Sequence, residues 1–97
     1  MGKGMPETAV HLRIFGKVQN VWFRGWLVEQ ADGAGLRGWV RNRSDGSVEA
    51  LLIGPNSLVQ EVAGHCRSGP PAAVVGSVRA TPSSDDGSPG FRLRSSL

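Results

Sequence analysis

An α+β domain of element order β-α-β-β-α-β, in which an antiparallel sheet carries both helices on one face, is the fold class this sequence predicts. Three observations predict it. Alternating apolar residues near the N-terminus give way to helical spacing at Phe23, an Asp45-Gly46 pair divides two strand-like runs, and a second helical stripe precedes two further alternating segments. With 97 residues, 39% hydrophobic and 20% charged, the chain fits one domain with a single modest core.

Residues 8–15, "TAVHLRIF", place Val10, Leu12 and Ile14 on one side and His11 and Arg13 on the other, which is a half-buried strand ending at Gly16. From there Phe23, Leu27, Ala31 and Ala34 recur at helical spacing until Gly35 closes the helix as its C-terminal cap. "LRGWVRNRSDGSVEALLIG" reads as a hairpin with strands near 36–43 and 47–53, because both Asp45 and Gly46 adopt positive φ at low cost. In "PNSLVQEVAGHCRSGPP" Ser57 is expected to cap a second helix with Gln60 reaching back. Leu58, Val62 and Cys66 then point inward, and Gly69-Pro70-Pro71 ends the helix. A fourth strand follows near 73–81, and after the turn-rich "TPSSDDGSPG" Phe91 and Leu93 alternate with Arg92 and Arg94 in a short extra strand. This is the ferredoxin-like, split β-α-β arrangement. Residues 1–7 are expected to be a disordered lead to a single domain over 8–97, and the 82–90 loop is expected to be mobile.

Composition excludes several function classes. The lone Cys66 rules out an internal disulfide and a cysteine-based zinc site, and reads as a small apolar core residue. No apolar run is long enough to span a membrane and "MGKGMPET" has no apolar centre, so a cytoplasmic location is expected. A net charge of +3 and a pI near 10.0 favour anionic partners, either nucleic acid or a small phosphorylated substrate. The arginines are spread along the chain rather than clustered, which favours plain solvation over a nucleic-acid footprint. Tyrosine is absent and the strands offer no paired exposed aromatics for stacking bases, so nucleic acid is not the expected partner.

The segment "GKVQNVWFRGW", residues 16–26, carries the chemistry. It lies where the first strand meets the first helix, so the amides of Lys17, Val18, Gln19, Asn20, Val21 and Trp22 would gather beside a helix N-terminus, a ready anion site. Arg24 would add a planar, permanently charged fork. The same residues equally describe a tight turn followed by a surface arginine. Asn42, just before the hairpin turn, is either a turn former or an amide that holds a water in line with a bound phosphorus. His11 and His65 read as a strand-face residue and a helix-surface residue. Phe23 and Trp39 read as core, whereas Trp22 and Trp26 lie off the buried stripe and either wall the site or tuck under neighbouring loops.

"GKVQNVWFR" resembles the first acylphosphatase signature, glycine-x-valine-glutamine-glycine-valine-x-phenylalanine-arginine, and "GLRGWVRNRSDGSVEALLIGP" resembles the second, with its strand asparagine. The resemblance runs over residues 8–95. It implies the same fold and a small cytosolic enzyme that hydrolyses the carboxyl-phosphate bond of acyl phosphates, releasing inorganic phosphate, with no metal or cofactor; small size and the lack of an obvious uncovered apolar stripe separately favour a monomer. It also implies that Arg24 binds phosphate, that backbone amides from Lys17 to Trp22 cradle it, and that Asn42 orients the attacking water. Asn20 departs from the signature glycine. Asparagine tolerates positive φ, so the loop is expected to close with some loss of activity. The alternative is a non-catalytic phosphate- or nucleic-acid-binding module on the same fold.

Overall fold

The computed structural model of the protein describes residues 6–97. In chain order it holds β1 (Glu7–Lys17), α1 (Phe23–Gly33), β2 (Arg37–Asn42), β3 (Val48–Pro55), α2 (Asn56–His65), β4 (Val74–Pro82) and β5 (Phe91–Leu93). The strands form one sheet in the order β4-β1-β3-β2-β5. Four of them pair antiparallel, with β1 between β3 and β4 and with β2 against β3. The short last strand lies parallel to β2, Gly38 opposite Phe91 and Val40 opposite Leu93, so the sheet is mixed at that edge. This register brings the ends of β1, β2 and β5 and the starts of β3 and β4 to one end of the sheet.

One face of the sheet meets both helices. Leu12, Ile14, Val40 and Leu52 have no exposed surface there and pack with Phe23, Leu27 and Ala31 of α1 and Val59, Val62 and Cys66 beside them. Each such aliphatic or aromatic side chain contributes roughly 1.5–3 kcal/mol by leaving water. Burial pushes the Cys66 thiol up to about 12, which makes it an inert core residue. Helix α1 stops as expected at Gly35, where φ is 72°. There Gly35 N donates to Asp32 O at 3.0 Å and Leu36 N to Ala31 O at 2.9 Å, the double bond of a glycine-terminated helix.

Several local expectations change. Helix α2 begins at Asn56 with Pro55 at its N-cap and no side-chain cap, so Ser57 lies inside the helix and Gln60 Nε2 donates to Asn56 Oδ1 at 3.4 Å. The fixed φ of Pro55 starts the helix in place of a hydroxyl cap. The inward stripe is Val59, Val62, Ala63 and Cys66, with Leu58 only half-buried. In the hairpin only Gly46 has positive φ, at 91°. Asp45 instead accepts hydrogen bonds from Ser47 N at 2.9 Å and Ser47 Oγ at 2.5 Å.

Trp39 is buried, but with Leu51 and Ile53 on the sheet face away from the helices. Its indole Nε1 donates to Asp86 at 3.1 Å, and Arg37 pairs with Asp85, so side chains fasten the 82–90 loop to the sheet. Of the expected lead 1–7, residues 1–5 lie outside the described residues, and Glu7 opens β1 opposite Pro55. Among the described residues no helix is long and apolar enough to cross a membrane.

Candidate active site

The site forms at the sheet end where β1 hands over to α1. The pairing of β1 with β4 shifts register between Phe15 and Gly16 there. Gly16 has φ 125°, and a Cβ on it would stand 2.3 Å from Val74 O, so both the conformation and the space demand glycine. Lys17 remains in the ladder opposite Val74, so the free loop starts at Val18 rather than Lys17.

Two left-handed residues shape that loop. Asn20 has φ 62° and Trp22 φ 64°. Among non-glycine side chains asparagine is the best suited to this region, so Asn20 can hold a left-handed backbone at the signature's glycine position. The strain at Trp22 has no such excuse and is the kind held at functional sites.

This winding leaves donors without acceptors. Among the described residues, no backbone N–H from Asn20 to Gly25 finds a protein acceptor, and α1 has no side-chain cap. A row of free amides at the positive end of a helix is an anion site. Arg24 stands in the first turn of the same helix, and among the described residues it forms no ion pair.

A cavity of about 330 Å³ joins the loop to the sheet. Val18, Asn20, Trp22 and Arg24 line it from the loop and helix, Asn42 from the end of β2, and Leu93 from the end of β5. Asn42 Oδ1 is buried and, among the described residues, without a hydrogen-bond partner. Such an orphan acceptor costs roughly 1–3 kcal/mol unless something outside the protein satisfies it. Of the sequence-predicted residues, Arg24, Asn42, Val18, Asn20 and Trp22 meet at this cavity, whereas Lys17, Gln19 and Val21 do not line it.

Gln19 plays a part that the sequence reading missed. Its carboxamide Nε2 donates to Arg43 O at 2.8 Å and to Ser47 O at 2.9 Å, tying the loop to the hairpin that carries Asn42. Only the sheet register could reveal this, since 24 and 28 residues separate the partners. Trp26 does not wall the cavity. It packs edge-on against Phe23, with ring centroids 5.3 Å apart. His11 Nε2 lies 2.6 Å from Glu49 on the face away from the helices, and His65 Nδ1 lies 3.1 Å from Gln30 Oε1, so neither reaches the cavity.

Comparison with known proteins bears on the family and the fold. The acylphosphatase family model matches residues 10–93. An acylphosphatase of Rhodospirillum rubrum is 55% identical over 86 residues, covering 89% of this chain and 94% of its own. The structure of an acylphosphatase from Coxiella burnetii superposes with a TM-score of 0.87 at 34% identity, covering 91% of this chain and 93% of that one. The crystal structure of acylphosphatase from Bacillus subtilis gives 0.85 at 34% identity, covering 89% and 97%. Matched from its first strand to its last by sequence and by fold alike, this chain belongs to the acylphosphatase family.

Proposed function

We propose that the protein hydrolyses the carboxyl-phosphate bond of acyl phosphates, with the phosphate held by the amides of the loop and of the first turn of α1 and by Arg24, and water placed by Asn42. The observation that carries this reading is the convergence, in one cavity, of backbone donors, a guanidinium and an amide oxygen that have no partner among the described residues.

The chemistry asks for little more. Water oxygen bonds to phosphorus while the bond from phosphorus to the acyl oxygen breaks, and the carboxylate leaves with the electron pair. A carboxylate is a good leaving group, so it needs no acid to protonate it, and the protons shed by water pass to the phosphate product and solvent. The protein's work is to position the reactants and to stabilise charge on the phosphoryl oxygens. Asn42 Oδ1 can accept a hydrogen bond from the attacking water and so aim its lone pair at phosphorus.

Release of phosphate from benzoyl phosphate by the purified protein, in the presence of a chelator, tests the reading. Turnover is expected in the wild type and should fall at least about 10²-fold in Arg24→Ala and in Asn42→Ala, both still folded by circular dichroism. Unchanged turnover in either variant would remove that residue from the mechanism. A wild type that binds phosphate through Arg24 without turnover would instead be an anion-binding module.

A further inference from the structure

Exposed apolar surface is informative when it gathers in one place. Among the described residues four large apolar side chains are exposed: Trp22, Val74, Leu93 and Leu97. All four lie at the same end of the sheet. Val74 stands opposite Lys17, Leu93 closes β5 beside Val40, Leu97 N donates to Asn42 O, and Trp22 belongs to the loop. Trp22, 57% exposed, and Leu93, 52% exposed, both line the cavity that holds Arg24 and Asn42.

The placement of Trp22 is fixed. Its left-handed backbone folds the side chain back over α1, and the indole rests on Gly25, where a Cβ would come within 2.2 Å of Nε1 and 2.7 Å of Cδ1. The Nε1 and Cδ1 edge of the ring faces Gly25 of the helix, and the apolar remainder of the indole is what Trp22 offers the cavity. Leu93 is fixed from the other side, because pairing of β5 with β2 fastens it to the strand that ends in Asn42.

We infer that Trp22 and Leu93 form an acyl-binding subsite that selects acyl phosphates with an apolar, ring-sized, uncharged acyl group. This rests on the phosphate and water sites proposed above. With phosphate on the amides and Arg24, the acyl carbon points outward between the indole and the leucine. Among the described residues Arg24 is the one charged residue in the lining, and phosphate takes it, so a carboxylate or second phosphate on the acyl part finds no further cation in that lining. At about 330 Å³ the cavity is at the small end for ligand sites, which suits a phosphate and one ring rather than a segment of another protein.

The test is kcat/KM for benzoyl, acetyl and succinyl phosphate, each in a chelator and each divided by its spontaneous hydrolysis rate. Benzoyl phosphate is expected to lead the other two by about tenfold or more. Leu93→Ser and Trp22→Asn, the latter chosen because asparagine tolerates the left-handed backbone, should each cut the benzoyl-to-acetyl ratio about fivefold or more, chiefly through KM. Leu93→Met should keep the ratio. Equal use of the three substrates by the wild type would overturn the subsite alone, as would variants that lose all three substrates in parallel. Absence of turnover with every acyl phosphate would overturn the hydrolase reading, and the subsite with it.

Discussion

Arg24 and Arg41 carry the same guanidinium, yet the molecule treats them in opposite ways. On the sheet face away from the helices, Arg41 Nε and Arg43 donate to Glu49 Oε1 at 2.7 and 3.0 Å, His11 Nε2 lies 2.6 Å from Oε2, and Arg13 pairs with Asp45. Arg41 and Arg94 also lie over the Trp39 ring, 4.9 and 5.0 Å from its centre. Burial alone would raise the Glu49 carboxyl, but hydrogen bonds from His11, Arg41 and Arg43 outweigh it and bring it down to about 2. At the sheet end, Arg24, the row of amides and Asn42 Oδ1 are left without partners among the described residues. Satisfied polar groups hold the fold together. Unsatisfied ones, kept in place by their neighbours, are the groups to which the proposed reading gives the phosphate and the water.

The contrast predicts which substitutions touch activity and which touch stability. Arg24→Ala should give the largest change in turnover while moving the free energy of unfolding by no more than about 0.5 kcal/mol, since among the described residues it breaks no ion pair. Urea unfolding checks this, and a loss above 2 kcal/mol would mean that Arg24 is structural. Glu49→Gln should do the reverse, lowering stability by about 3 kcal/mol at pH 7, the equivalent of the fall of its carboxyl from 4.5 to about 2.

The sign follows from that depression. The stabilisation is present above the unfolded value of 4.5 and is lost as pH falls through about 2. Urea midpoints for wild type and Glu49→Gln should therefore converge as pH drops from 6 to 2, and a constant gap would show that charge is not the cause. The smallest effect is expected of Asn20→Gly. Because Asn20 already holds φ 62°, the change should alter kcat/KM less than about threefold and stability by less than about 1 kcal/mol. A tenfold rise in turnover would mean that the side chain, rather than the backbone, obstructs the loop.

Much of the fold is legible in sequence because alternation and helical spacing report burial directly. Val10, Leu12 and Ile14 declare β1, and Phe23, Leu27 and Ala31 declare α1. Arg24 and Asn42 stand out as candidates because a cation follows an amide-rich strand-to-helix loop and an amide sits at a strand end, but the residues alone also fit a surface arginine and a turn former, and the roles come from the family resemblance. What the sequence hides is register. The arginines look dispersed along the chain, yet Arg13, Arg41 and Arg43 converge because pairing sets Arg13 and Arg41 on either side of Glu49. The partners of Gln19 are hidden for the same reason. The cap of α2 was misread because Ser57 fits a hydroxyl cap by spacing alone, whereas the φ of −56° at Pro55 starts the helix two residues earlier.

Gln19 has an energetic consequence. Its two bonds cross from the loop to the hairpin, so the anion cradle and the Asn42 amide behave as one stiff piece rather than two jaws. Less of the free energy of a substrate's contacts then goes into ordering the loop, and more into affinity and alignment.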